Sequence, residues 1–333
     1  MHKFLGDLDA HDPLYTFLSR DVLPQSNAAI RNPRFSVYKI WSSNNSVYLY
    51  KENHTGLGYV GKFFEFESEE KSYARLIKEY NNLIWLREIG FHSYPHEVIR
   101  PFACKRELNH LLLEEYREGD SLSEIIKEAI KHHKQDRLYR KLGALAFFLA
   151  TLHNKTARHT RVELQIECNY FDTLLSSLEE VRRLDAKERG EIAQLISEWS
   201  KREAMWSDCQ VTVHGDATPA NFIFSHGPSV IAIDLERMKL SDRVFDLGRI
   251  AGELIHFFLH EGRTKEDADK CIGHFIWSYS GFFPVQQEAF NAIMARLPFY
   301  IAMTLIRIAR NSWISHDYGK RLIKQARQQL GGR

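Results

Sequence analysis

The sequence predicts an α+β chain in two lobes, with an N-terminal antiparallel sheet lobe and a larger, mostly helical C-terminal lobe. Two observations predict it. Between Phe35 and Phe66, three β-rich, aromatic-rich runs follow one another, separated by turn-forming clusters. Beyond Ser121, apolar residues fall mostly at helical spacing, with a small group of short apolar runs in their midst. The boundaries read as 1–34 for an N-terminal lead-in, 35–115 for the sheet lobe and 116–333 for the helical lobe.

The lead-in is punctuated by Pro13, Pro24, Asn32 and Pro33, which predicts an irregular or partly helical segment. The three strand-like runs are Phe35 to Trp41, Ser46 to Lys51 and Gly58 to Phe66. Ser42-Ser43-Asn44-Asn45 and Asn53-His54-Thr55-Gly56 separate them, and both are turn formers. A helix follows, because Tyr73, Leu76, Ile77, Tyr80, Leu83 and Ile84 keep i, i+3, i+4, i+7 spacing and Gly90 is a stop. Two more strands are expected near Glu97 to Ala103 and Leu111 to Glu114, and Glu115 to Asp120 reads as a connector. Ser121-Leu122-Ser123-Glu124 then reads as a capping box opening a helix. Within the helical remainder, Val211 to Val213, Phe222 to Phe224 and Val230 to Ile233 are short apolar runs of the kind buried strands use. The last two are joined by Ser225-His226-Gly227-Pro228, a hairpin-like turn. A sheet lobe joined to a helical one by a short connector predicts a cleft, a usual place for a ligand.

Bulk properties bound the partners. The 333 residues suffice for a sizeable core, and 44% hydrophobic, 12% aromatic and 26% charged residues are ordinary for a soluble globular protein. A formal net charge of +2 gives no case for nucleic acid or a membrane surface as the main partner. Cys104, Cys168, Cys209 and Cys271 are far apart and offer no C-x-x-C pair, so neither a disulfide framework nor a zinc site is expected. Reduced thiols and an N-terminus without the apolar core of a signal peptide suggest a cytoplasmic protein.

The strand cluster carries the chemistry. It holds His214-Gly215-Asp216-Ala217-Thr218-Pro219-Ala220-Asn221, then Ile233-Asp234-Leu235-Glu236. Phosphoryl transfer needs a divalent metal held against phosphates and a carboxylate to orient the acceptor hydroxyl and take its proton. Magnesium prefers hard oxygen ligands and few protein carboxylates. Asp216 is the base candidate, Asn221 offers an amide oxygen five residues on, and Asp234 is the charged metal ligand. The plainer alternative makes Asp216 and Asn221 an Asx-bonded turn and Asp234 a cap.

H-G-D-x-x-x-x-N followed by I-D-x-E resembles the aminoglycoside phosphotransferase and choline kinase family, which shares the bilobal protein-kinase-like fold. The resemblance runs from about Phe35 to the C-terminal helices and is clearest from Val211 to Leu254. It implies ATP and Mg2+ as cofactors, Asp216 as catalytic base, Asn221 and Asp234 as magnesium ligands, and an indirect role for Glu236. It also implies that Lys62, on the third strand, holds the α- and β-phosphates, that Val60 packs on the adenine, and that Glu79 on the next helix is the lysine's partner. Strand alternation puts Val60 and Lys62 on one face. The alternative for Lys62 is a solvated strand lysine. The loop after the first strand has no glycine, unlike the G-x-G-x-x-G of protein kinases, so Ser43 and Asn45 are the residues expected to meet the phosphates. Leu113-Glu114-Glu115-Tyr116 is the expected hinge, with backbone groups of Glu114 and Tyr116 facing the purine edge. Asp246 resembles the family aspartate that bonds the catalytic-loop backbone, with an ordinary helix cap as the alternative. His214 reads as a buried scaffold residue.

The acceptor is expected to be a small-molecule alcohol of the aminoglycoside, amino alcohol or sugar class. Protein kinases carry an arginine where Gly215 stands and a long peptide platform after the metal aspartate. Here eleven residues separate Asp234 from Asp246, and no A-P-E motif follows. Glu253, His256, His260 and Glu261 are the polar candidates for the acceptor pocket. Phe275, Trp277, Tyr279, Phe282 and Phe283 form an aromatic group that reads as core rather than as a cage for a quaternary amine. The competing readings are a choline or ethanolamine kinase specifically, and a nucleotide-binding pseudokinase acting as a regulatory module. No nucleic-acid or membrane partner is expected.

Overall fold

The structure, a computed structural model, describes residues 3–26, 30–40, 46–66, 68–132 and 134–331. The chain forms two compact units, Met1–Gly119 with Ile231–Glu236, and Asp120–Val230 with Arg237–Arg333.

The first unit is built on a six-stranded antiparallel sheet. Its strands are β1 (Lys3–Asp7), β2 (Phe35–Ile40), β3 (Ser46–Glu52), β4 (Gly58–Phe63), β7 (Pro101–Lys105) and β8 (Leu111–Glu115), in the order β1-β2-β3-β4-β8-β7. The short pair β5 (His92–Ser93) and β6 (His96–Val98) lies between β4 and β7 in the chain. The register pairs Leu49 with Val60 and Lys62 with Leu112, which sets Val60 and Lys62 on the face that also carries Glu114. Helix α2 (Glu69–Glu88) is capped by Ser68, whose side chain accepts from the Lys71 N–H, and it carries Glu69 and Glu70 where the helix dipole favours acids.

The lead-in is partly helical, the second of the two forms expected. Besides β1, it holds a helical segment beginning at α1 (Pro13–Phe17), whose N-cap Asp12 accepts from the Leu14 N–H. Leu14, Leu18, Val22 and Leu23 from this segment share one core with Phe35, Tyr50, Tyr59, Leu111 and Leu113. Burial of that apolar face fixes the segment.

The second unit begins with β9 (Asp120–Ser121) and the helices α3 (Leu122–His132), α4 (Gln135–Lys155), α5 (Leu164–Glu180) and α6 (Ala186–Ser200). The capping box is formed: the Ser121 N–H and hydroxyl both meet Glu124 Oε2, at 2.7 and 2.8 Å, and the Glu124 N–H donates back to Ser121 Oγ. Strands β10 (Val211–Val213), β11 (Phe222–Phe224) and β13 (Lys239–Ser241) follow, with β10 paired to β13 and β11 to β9, while β12 (Val230–Ala232) leads into the Ile231–Glu236 segment of the first unit. Helices α7 (Val244–His260), α8 (Lys265–Ser280), α9 (Gln286–Met294), α10 (Leu297–Ala309) and α11 (His316–Gly331) complete it.

Helix α7 is buried along nearly its whole length. It lies against α10 because Gly248 and Gly252 present no side chain there. A Cβ on either would come within 2.2 Å of Tyr300 Cβ or 2.6 Å of Thr304 Cβ. No single helix among the described residues is long and apolar enough to cross a membrane.

Candidate active site

In the first unit the chemistry gathers on β4, β8, α2 and the segment after β12. Lys62 Nζ lies 2.8 Å from Glu79 Oε1 and 3.2 Å from Glu114 Oε2, and all three residues are buried. Burial opposes the charge on Lys62, but Glu114, Glu79 and Asp234 outweigh it and hold the ammonium well above its usual range. One ammonium does not neutralise several carboxyls in so dry a place. Burial therefore pushes Glu79 up to about 8 against the pull of Lys62, and pushes Glu114 upward too.

Asp234 adopts φ +62°, in the left-handed region that costs a non-glycine residue energy. Its segment is tied down on both sides. Asn82 Nδ2 donates to the Leu235 carbonyl at 2.8 Å, and the Ile99 N–H donates to the Ala232 carbonyl at 3.0 Å. Glu79, Asp234 and Glu236 each offer a carboxylate oxygen, all within 4.8 Å of one another. Glu79 Oε2 is buried without a hydrogen-bond partner while Oε1 serves Lys62. Hard carboxyl oxygens gathered this closely fit a divalent cation such as magnesium.

In the second unit the loop after β10 is held from beneath by α7. Asp246, in the first turn of α7 and not at its cap, accepts the N–H of His214 at 2.7 Å and of Gly215 at 3.1 Å. His153 Nε2 reaches the same carboxylate at 3.2 Å, and its Nδ1 lies 2.8 Å from the Tyr279 hydroxyl. Burial keeps the His153 imidazole neutral, so Nε2–H donates to Asp246 and Nδ1 accepts from Tyr279. Although burial opposes it, these donors hold the Asp246 carboxyl below its usual range. Gly215 stands at φ +79°, and a Cβ there would fall 2.0 Å from the Arg237 carbonyl oxygen. The arginine that protein kinases carry at this place has no room.

Asp216, its side chain 14% exposed, follows directly. Arg307 Nη2 lies 2.8 Å from its Oδ1 and Arg237 Nε 3.8 Å from its Oδ2. Burial alone would raise this carboxyl. Arg307, Arg249 and Arg237 together hold it below the usual range. Asn221 is buried, and its Nδ2 donates to the Asp216 carbonyl at 2.9 Å, so its amide oxygen points the other way. Backbone bonds from the Thr218 N–H to the Asp216 carbonyl and from the Asn221 N–H to the Thr218 carbonyl turn the chain between them.

The other expected residues fall as follows. Val60 is half-buried on the Lys62 face. Ser43 and Asn45 lie outside the described residues. Of the backbone groups expected to face a purine, the Tyr116 N–H donates to the Gly58 carbonyl at 3.0 Å, and beside it the Glu115 N–H donates to the Arg100 carbonyl at 2.8 Å. Glu114 enters instead through its side chain, and strand register with Val60 was the signal for that. Of the acceptor candidates, Glu253 lies 3.7 Å from Arg307 Nη1. His256 bonds Tyr318 at 3.0 Å, and burial pushes it down to about 4. His260 and Glu261 form an exposed pair at the end of α7. In the aromatic group Phe275 and Tyr279 are fully buried, while Trp277 and Phe282 are exposed.

These residues can now be compared with known proteins. A family model described as "Phosphotransferase enzyme family" matches residues 39–279, which take in Lys62, Asp216, Asn221, Asp234 and Asp246. The chain belongs to the phosphotransferase enzyme family. Among solved structures, this phosphotransferase is similar to the ethanolamine kinase of Plasmodium vivax, with TM-score 0.62 and 17% identity over 94% of this chain and 86% of that one. It is also similar to the ADP-bound aminoglycoside phosphotransferase APH(2'')-Ib, with TM-score 0.56 and 13% identity over 96% and 97% of the two chains. A third similar structure is the choline kinase LicA of Streptococcus pneumoniae, with TM-score 0.52 and 18% identity over 96% and 99%. These likenesses establish the protein-kinase-like fold. The comparison with curated protein sequences gave no match.

Proposed function

We propose that this phosphotransferase is an ATP-dependent, magnesium-requiring kinase that phosphorylates a hydroxyl group of a small molecule. The observation that carries this reading is Asp216, an ionised carboxylate on a loop fixed by Asp246. In this reading Lys62, oriented by Glu79, binds the α- and β-phosphates, and Val60 packs on the base. Asp234 and Asn221 are the magnesium ligands, with Glu236 beside Asp234. Bound magnesium would neutralise charge on the phosphates. Asp216 accepts a hydrogen bond from the acceptor hydroxyl, aims the hydroxyl oxygen at the γ-phosphorus and takes its proton as the new O–P bond forms and the bond from that phosphorus to the β–γ bridging oxygen breaks, releasing ADP. A carboxylate with a depressed pKa is a weak base, so positioning is the larger part of its work. ADP in a structure of similar fold supports the choice of nucleotide.

Asp216→Asn tests the reading. The variant should bind MgATP as wild type does and lose most acceptor-dependent ADP release, about a hundredfold or more. Full turnover in that variant would remove Asp216 from the role.

A further inference from the structure

Beside Asp216 the second unit gathers several guanidinium groups. Arg249 on α7 is 2% exposed, and its Nε and one Nη are buried without hydrogen-bond partners. Tyr170 on α5 bonds the guanidinium, and Arg307, Asp216 and Glu253 act on its charge. Arg307 on α10 reaches Asp216 and Glu253, yet its Nε is also buried and unpartnered. Arg237 faces Asp216 from the other side, and Arg310 adds its charge near Tyr170. Arg249 and Arg307 thus both act on Asp216 and Glu253 while retaining buried N–H groups without an acceptor. Elsewhere in this unit the buried arginines are matched by acids: Arg243 bonds Asp208, and Arg296 meets Asp208 and Asp242.

A buried guanidinium with idle N–H groups costs stability unless an acceptor arrives. A cationic group would be repelled by Arg249 and Arg307 and would bring their N–H groups no acceptor. A phosphate or carboxylate would supply the missing oxygens, and the planar fork of arginine suits both.

We propose that the acceptor is an anionic alcohol, whose phosphate or carboxylate group is bound by Arg249 and Arg307 while its hydroxyl is presented to Asp216. This rests on the kinase reading and narrows its substrate class. Arg307 is a specificity residue here: the anionic group draws its guanidinium from Asp216, which frees that carboxylate for the hydroxyl. Two surroundings agree. Arg249, Arg307 and Arg310 lower the Tyr170 phenol against the effect of burial, and burial raises the Glu253 carboxyl against the pull of Arg307 and Arg249.

The test uses the full chain with MgATP. Glycerol 3-phosphate and glucose 6-phosphate probe the phosphate form, and glycerate and gluconate the carboxylate form. Glycerol and glucose are the uncharged parents, and choline, ethanolamine and kanamycin the cations. ADP release gives turnover, and calorimetry with MgADP present gives binding. One anionic set should bind and turn over at least about tenfold better than its parents. Arg307→Lys keeps the charge but loses the fork, and should raise KM for that acceptor about tenfold with KM for ATP unchanged. Arg249→Gln should abolish anion binding; because it alters a buried site, its fold is checked by circular dichroism and Arg307→Lys stands beside it. Preference for a cation or an uncharged parent, with release lost in Asp216→Asn, would overturn the inference and leave the kinase intact. Failure of every anionic probe to bind would also overturn it. Absence of both MgATP binding and ADP release would bring down the kinase reading itself.

Discussion

On the proposed kinase reading, the Glu114 carboxylate decides how Lys62 would meet a nucleotide. Lys62 Nζ is 3.2 Å from Glu114 Oε2 and 2.8 Å from Glu79 Oε1, so the lysine is claimed from two sides. Orientation of a phosphate-binding lysine needs only one partner. The second carboxylate competes with phosphate oxygens for the ammonium and repels them. Glu114→Gln keeps the shape and removes the charge. It should tighten MgATP binding about fivefold, the worth of roughly 1 kcal/mol, as read by calorimetry or KM for ATP. Weaker binding would mean that Glu114 contacts the nucleotide itself.

At the scale of elements, α7 joins packing to chemistry. Gly248 and Gly252 let it press against α10, and the turn that begins it delivers Asp246 to the loop that ends at Asp216. Two backbone N–H groups and one imidazole N–H converge on that carboxylate, which is fully buried. An asparagine has one acceptor oxygen and would aim N–H at N–H. Asp246→Asn should therefore cost about 2–3 kcal/mol in urea unfolding. It should also lower kcat with KM for ATP little changed, since the Lys62 cluster is untouched. A retained kcat would reduce Asp246 to fold support alone. Much of this scale was legible from the chain. Period-two alternation put Lys62 on a face with Val60, the apolar stripe of α2 left Glu79 at its flank, and the Ser121–Glu124 box announced α3. What escaped had physical reasons. Strand β1 is an edge strand whose Phe4 and Leu5 stay exposed, so it carries no buried alternation to read. Glu114 and Glu115 adjoin, and only strand register tells which one points inward. Arg249 and Arg307 lie far apart in sequence on helices α7 and α10, where an isolated arginine reads as a solvated charge.

For the whole molecule, buried acids of opposite tendency set the response to pH. Asp208, Asp216 and Asp246 are held below the ordinary range by arginines or by hydrogen bonds, burial opposing in each case. Their contribution is present above the ordinary carboxyl pKa of about 3.9 and is lost as pH falls through their folded values. Burial raises Asp242 and Glu253 in the same unit, which offsets part of that loss. Glu79 works in the other direction. Its folded value of about 8 exceeds the unfolded one, so its contribution is full below about 4.3 and disappears as pH climbs to about 8. Glu114 is raised likewise and adds to the trend. The nucleotide-free sheet unit should therefore loosen from pH 5 to pH 8. Hydrogen exchange in β4 and α2, corrected for the intrinsic pH dependence of amide exchange, reads this directly. Glu79→Gln removes the titrating group and keeps a polar partner for Lys62, so its protection should vary much less across the same interval. An equal slope in the variant would move the titration to another group of the cluster, and Glu114→Gln at the same two pH values would then identify it.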